Sequence, residues 1–327
     1  MRSFALWYSA NSAEPRKEAT VHINLWDKVV HGKKQYCFDI GLLVEDISEI
    51  DCIYLYAPFT LKKEHIRDLG GLISNNQLVN AIFNENYTTT DGEPKKLIVN
   101  GTDEKPAFAI YALELESQIK LRACKRNSTS TGTIIEIKTK SIVPNKINRY
   151  YFRIRIQVEK EQIALINDAI KGVSIFSNQF TSTEVIDFRL NDVRSCSEEL
   201  REQFHKGNKF GLLAIHYLIL RDANDMIIHY GKEINSRMLE NDLWKSYIDN
   251  ADHNIIAYHI KSKAEKIYNS DSKRFEVSRY IESFSDLSRF QYQKSTNLIL
   301  TIYILGVLLL GAAAGVLGNW ISKLIGL

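Results

Sequence analysis

Twenty-eight consecutive residues, 295–322, carry no formal charge, and 298–317 reads LILTIYILGVLLLGAAAGVL. A helix rises about 1.5 Å per residue, so about 20 such residues match the ~30 Å hydrocarbon layer of a bilayer. Backbone polar groups must be satisfied internally within lipid, which makes the segment a helix rather than a strand. A buried helix of a soluble core is the competing reading. Trp320, just past the span, suits an interfacial anchor. Arg279, Arg289 and Lys294 precede the span and only Lys323 follows it. The positive-inside rule therefore predicts that the body up to about residue 294 is cytoplasmic.

Gly311, Gly315, Gly318 and Ser322 recur at spacings of four, three and four, one stripe of the helix. Small side chains let membrane helices approach closely, so Gly311, Gly315 and Gly318 are candidate packing positions. Asn319 is expected to bond between helices or to line a wet pore, because an unpaired amide facing lipid is costly. Ile304, Val307 and Leu308 are candidates for an apolar constriction above or below it.

The remainder has an ordinary globular make-up: 327 residues in all, 45% hydrophobic and 25% charged, enough for one large or two medium domains. Residues 3–10 are uncharged, but Asn11, Glu14 and Arg16 follow too soon for a secretory signal. Cys37, Cys52, Cys124 and Cys196 show no CxxC spacing, which suggests neither a zinc site nor a disulfide framework and fits a reducing compartment.

Alternating β-branched and aromatic segments predict strands at 4–8, 19–26, 35–43, 52–56, 96–99, 107–116, 133–140 and 149–158. Residues 61–83 read as a helical interruption. Beyond 160 the period lengthens, predicting helices at 161–171, ended by Gly172, at 197–205, within 240–268 and at 274–292. In the last of these, Val277, Ile281, Phe284 and Leu287 share one helical face. Residues 212–221 and 226–230 fit either a hairpin or a buried helix. The expected class is α+β: a β-rich domain over 1–160, antiparallel in its pairing, a mainly helical region over 161–293, and a transmembrane helix with a short tail over 294–327.

The net charge of +3 conceals an asymmetry. Residues 120–160 contain eleven basic residues against Glu136 and Glu159. Strand alternation puts Lys120 with Arg122, Lys138 with Lys140, and Tyr151 with Arg153 and Arg155. If these three segments pair as a meander, their basic faces align beside Tyr151. Such a surface attracts phosphates through charge and forked guanidinium contacts, and an exposed Tyr stacks on a base. A solvated polar face balanced by acidic loops is the plainer alternative.

No P-loop, GxGxxG turn, GxSxG elbow, HExxH helix or paired CxxC is present, so no catalytic residue, metal or cofactor is expected. His216 and His229 would face each other in the hairpin alternative. Asp39, Glu45, Asp46, Glu49 and Asp51 read as a solvated acidic loop or a counterweight to the basic strip.

A β-rich sensor with the basic strip at 120–160, the span at 298–317 and the Gly311/Gly315/Gly318 stripe resembles, in organisation, the Hailong membrane effectors of bacterial nucleotide-signalled anti-phage defence. The resemblance implies a nucleotidyltransferase-like operon partner that makes short single-stranded oligodeoxyadenylates. It implies too a homo-oligomer, favouring a tetramer, that forms an ion channel in the inner membrane and is held shut by that ligand. A tail-anchored adaptor that tethers an anionic partner among membrane lipids is the alternative.

Overall fold

The computed structural model describes residues 2–10, 16–30, 33–73, 75–92, 95–101, 105–127, 129–142, 146–164, 166–170, 181–229, 233–248, 254–270, 273–293 and 296–326. Gly172, Tyr230 and Lys294 lie outside them. The class is α+β, with β-rich sheets and a long apolar C-terminal helix. Two units form by internal contact: residues 1–167, 186–223 and 230–287 make the first, and 168–185, 224–229 and 288–327 the second.

Numbered along the chain, β1 (Ala5–Ala10), β4 (Ile50–Ala57), β10 (Thr131–Lys138) and β9 (Ile119–Lys125) form a small antiparallel sheet in that order. The large sheet runs β16 (Ile234–Met238), β17 (Ile255–Lys263), β14 (Gly211–Asp222), β2 (Glu18–Val30), β3 (Lys33–Val44), β11 (Tyr150–Glu159), β8 (Phe108–Tyr111), β7 (Lys96–Val99), β6 (Thr89–Asp91). A short β5 (Ile66–Asp68) adds to β11. The expected antiparallel pairing is interrupted twice, where β14 meets β2 and β11 meets β8 in parallel. A third sheet orders β12 (Asn167–Ile170), β13 (Thr181–Leu190), β20 (Phe284–Gln293) and β15 (Met226–His229). A separate ribbon pairs β18 (Glu265–Asn269) with β19 (Arg274–Arg279). The helices are α1 (Asn76–Phe83), α2 (Leu115–Gln118), α3 (Lys160–Ile163), α4 (Glu198–Lys206), α5 (Asn241–Trp244) and α6 (Thr296–Ile325).

In the first unit the small sheet covers one face of the large one. Leu6, Ile53, Leu55 and Ile137 line an apolar gap with Ile40, Leu42, Phe152 and Ile154. The opposite face of the large sheet lies under α1 and α5, where Trp26, Leu78, Val79, Tyr151, Trp244 and Tyr247 join one buried cluster. Asn75 caps α1 by accepting from the Leu78 amide at 2.8 Å, which fixes the start of this roof. The central strands β2, β3 and β11 are therefore covered on both sides, although their sequences alternate as a half-exposed strand does. On the outer face of the small sheet, Leu200 and Phe204 of α4 pack on Trp7, Cys124 and Ile134.

The segment between 161 and 293 corrects the helical expectation. Only α4 and two single turns, α3 and α5, are α-helical there among the described residues. Within 240–268 the single turn α5 is followed by β17 and β18, and β19 and β20 occupy most of 274–292. Along β20, Phe284, Asp286, Ser288 and Phe290 are buried while Ser285, Leu287 and Arg289 are exposed, a period of two. The spacing of Val277, Ile281, Phe284 and Leu287 fits a helix face as well, but Leu287 points to solvent. Residues 212–221 and 226–229 are strands, as one alternative held, yet they do not pair with each other. β14 lies between β2 and β17, and β15 pairs with β20. Residues 61–83 hold one helix, α1, after a short turn and β5.

α6 is long and apolar enough to cross a membrane: Leu300–Ile325 has a mean hydropathy of 2.4 and is 0% buried. Gly311, Gly315 and Gly318 lie open on its surface, with no atom within 4 Å of a Cβ built on any of them. Ile304, Val307, Leu308 and Asn319 are exposed along the same helix. At 100° per residue, Ile304, Val307 and Leu308 continue the glycine stripe toward the N-terminus.

Candidate functional site: a cation-lined cavity on the large sheet

Between the large sheet and its helical roof lies a cavity of about 340 Å³. Its floor follows from register. Lys261 of β17 lies beside His216 of β14, His216 beside His22 of β2, and both His22 and Arg153 of β11 face Gly41 of β3. One pleat along, Asn235, His259, Leu218, Asn24, Asp39 and Arg155 form a second cross-strand row. Residues two apart share a face, so both rows present their side chains on one side of the sheet. Residues 81–85 around the end of α1, together with Trp244 of α5 and Arg237 of β16, complete the wall.

Three imidazoles stack across this floor. His216 Nδ1 is 3.2 Å from His259 Nε2 with the rings 17° from parallel, and the His22 ring centroid is 4.9 Å from that of His216. Burial pushes His216 down to about 3, helped by Lys261 and His259. His22 is lowered well below the ordinary value by burial, then by His216 and Arg153. His259 is lowered by burial and by Lys261 and Arg237. All three are therefore neutral at physiological pH, and fixed positive charge in the cavity comes from Arg153, Arg237 and Lys261. None of these three cations forms a salt bridge with another described residue. Glu85, a carboxylate on the cavity wall, is engaged by Lys105. Among the described residues no cluster of His, Cys, Asp or Glu could hold a metal ion.

Three side chains of the lining each carry a buried polar atom that is sealed from solvent and has no hydrogen-bond partner among the described residues: Arg153 Nε, His22 Nδ1 and Trp244 Nε1. Their residues are 1%, 5% and 4% exposed, so solvent does not readily satisfy them. Arg153 is held in place by its other nitrogens: Nη1 donates to Tyr151 Oη at 2.7 Å. With its amide oriented to satisfy both neighbours, Asn24 accepts from Arg153 Nη2 at 2.8 Å.

The floor depends on Gly41. A Cβ there would fall 2.1 Å from Tyr151 Oη, so only glycine leaves room for the tyrosine that holds Arg153. Gly41→Ala is expected to displace Tyr151, destabilise the fold by about 1–3 kcal/mol and misplace the guanidinium. The denaturant midpoint measures the first effect, and an unchanged midpoint would contradict the packing described.

The basic strip expected from the sequence divides between two sheets. Lys120 and Arg122 of β9 do share a face with Lys138, and β9 pairs with β10 as expected. Lys120, Arg122, Lys138 and Lys140 are exposed, but Arg122 is taken up by Glu136 at 2.9 Å and Gln203 at 2.7 Å. β11 does not continue this meander; it pairs with β3 in the large sheet. Tyr151, Arg153 and Arg155 are 0%, 1% and 1% exposed, so Tyr151 is no surface platform. Arg155 is committed to the core: Nε and Nη2 grip Asp39 at 2.7 and 3.1 Å, and Nη2 also donates to the Tyr247 carbonyl. Asp39 therefore belongs to a buried ion pair and not to an acidic loop, while Glu45 pairs with Arg149 and Asp46 with Lys17. Of the seven ligand candidates, Arg153 alone lines the cavity.

His22, His216, His259, Asn24, Arg237, Trp244 and Lys261 were not candidates on sequence grounds. The available signal is a polar residue interrupting an apolar strand, as in the runs VHINLW and LLAIHYLIL. No protein-family model and no curated protein matches this chain.

Proposed function

We propose that the chain is a ligand-gated membrane effector of the Hailong type. In this reading a short single-stranded oligonucleotide, an oligodeoxyadenylate by resemblance, binds at the cation-lined cavity. The observation that carries the reading is a cavity lined by Arg153, Arg237 and Lys261, none of them salt-bridged among the described residues, on a mixed aromatic and polar wall. Phosphates suit such cations, and Trp244, Phe83 and the imidazoles offer rings for a base.

α6 crosses the bacterial inner membrane with the β-rich body in the cytoplasm. Its full exposure and open glycine stripe support self-association, since one helix cannot enclose a pore. In the homo-oligomer, the Gly311/Gly315/Gly318 stripe brings the helices together and the Ile304/Val307/Leu308 level forms the constriction, with Asn319 near the far end. Ligand holds the assembly closed, and its loss depolarises the membrane. A ligand shifts a closed–open equilibrium only through different affinity for the two states, so the cavity must change shape or exposure on opening.

Reconstitution tests this. Full-length protein in liposomes is expected to pass ions, and a 5′-phosphorylated tetradeoxyadenylate to suppress the flux. Combining Arg237→Ala with Lys261→Ala is expected to weaken that suppression by roughly 100-fold, since charge-assisted bonds contribute about 1.5–3 kcal/mol each. Liposomes that conduct nothing, from protein that binds the oligonucleotide, would instead indicate a tethering adaptor.

A further inference from the structure

We propose that the cavity selects a phosphate monoester, on a free mononucleotide or at the end of a short nucleotide chain, over an internal phosphodiester. The proposal rests on the reading of the cavity as a nucleotide site and specifies which part of a nucleotide enters it.

Charge is the first argument. Arg153, Arg237 and Lys261 line the cavity without a salt bridge, and Glu85 on the same wall is already occupied by Lys105. A phosphodiester brings one negative charge, whereas a monoester brings about 1.5 to 2 at neutral pH. Three cations around one cavity, none salt-bridged to another described residue, match the monoester more closely. Arg237 stays on the rim through neutral acceptors, Asn84 Oδ1 at 3.3 Å and the Ala81 carbonyl at 3.2 Å, so its charge remains available.

Donor capacity is the second. Arg237 and Lys261 bring exposed guanidinium and ammonium N–H donors to the cavity. A terminal phosphoryl group offers three non-bridging oxygens to such a set, and an internal diester two. Size is the third. A volume of about 340 Å³ lies at the small end of the ~300–1,000 Å³ usual for ligand pockets. It has room for one nucleotide-sized unit, which favours a chain end over a continuous strand.

The test is isothermal titration of the detergent-solubilised full chain with matched probes. Deoxyadenosine 5′-monophosphate and its methyl ester differ only in whether the phosphate is a monoester or a diester. Tetradeoxyadenylates bearing a 5′-phosphate, a 3′-phosphate or no terminal phosphate extend the comparison to chains. The monoester is expected to bind about tenfold or more tightly than its methyl ester, and one end-phosphorylated chain to exceed the unphosphorylated chain by a similar factor. Lys261→Ala, at an exposed rim position, is expected to shrink both ratios toward one while leaving the thermal midpoint unchanged. Equal binding by monoester and methyl ester, with both weakened by Lys261→Ala, would overturn the monoester preference and leave the cavity as a nucleotide site. Absence of binding by every probe, or binding indifferent to Lys261→Ala and Arg237→Ala, would remove the cavity reading itself. Comparable affinities for the free monophosphate and the end-phosphorylated chain assign the ligand to a mononucleotide, and a clear advantage for the chain assigns it to a chain end.

Discussion

Asp39→Ala is expected to destabilise the β-rich body by about 3–5 kcal/mol, the usual cost of stranding one member of a buried ion pair. Arg155 and Asp39 are 1% and 0% exposed, and the carboxylate also accepts from Trp26 Nε1 at 3.0 Å. The guanidinium keeps its charge at any accessible pH, so loss of Asp39 removes the carboxylate that grips this buried cation beside the Trp26 and Tyr247 rings. For a body of this size each kcal/mol corresponds to about 2–4 °C, so a fall of roughly 10 °C in Tm is expected. Pairing Asp39→Leu with Arg155→Met should recover much of it, because well-packed apolar residues often replace such pairs without loss. Thermal unfolding of the three proteins decides the matter; a single variant within 1 °C of the parent would mean that the pair is not sealed from water.

The second large effect concerns α6. Gly315→Leu places a branched side chain on the stripe where helices would approach most closely, and about a tenfold or greater loss of ion flux is expected in liposomes. The β-rich body should be unaffected, because a Cβ built at Gly315 meets no atom within 4 Å. Ligand binding with unchanged affinity, alongside absent flux, is the expected pairing of results. Undiminished flux would rule out the glycine stripe as the helix contact, and native mass measurement of the same variant would show whether assembly itself was lost.

What the sequence made legible depends on how local the physics is. α6 is readable from composition alone, since its length and lack of charge have few other solutions. The strands at 19–26, 35–43 and 149–158 are readable from alternation. Their second covering layer is not, because it comes from residues 76–83 and 241–244, far away in the chain. Without that layer, the Arg153 and Arg155 face of β11 looks like a solvent face; with it, one arginine becomes a core ion pair and the other a cavity wall. The same lack of pairing information hid the imidazole stack. His216 is visibly a polar residue in an apolar run, but its neighbours are His22 and His259, chosen by a parallel pairing to β2 and an antiparallel one to β17. The misread helices between 240 and 292 have the opposite cause: sparse apolar residues there satisfy both a spacing of three to four and a spacing of two.

The parallel junction of β14 with β2 also bears on how the protein reaches its working form. Its cavity floor joins residue 22 to residues 216, 259 and 261, so closing it requires pairings across most of the soluble sequence. Such non-local contacts slow folding, and they leave no smaller fragment that contains the complete floor. A ligand that engages the finished floor has nothing comparable to grip in the unfolded chain, so it stabilises the folded body by mass action. Occupancy of the cavity is thus readable as resistance to heat or protease, before any current across a membrane is measured.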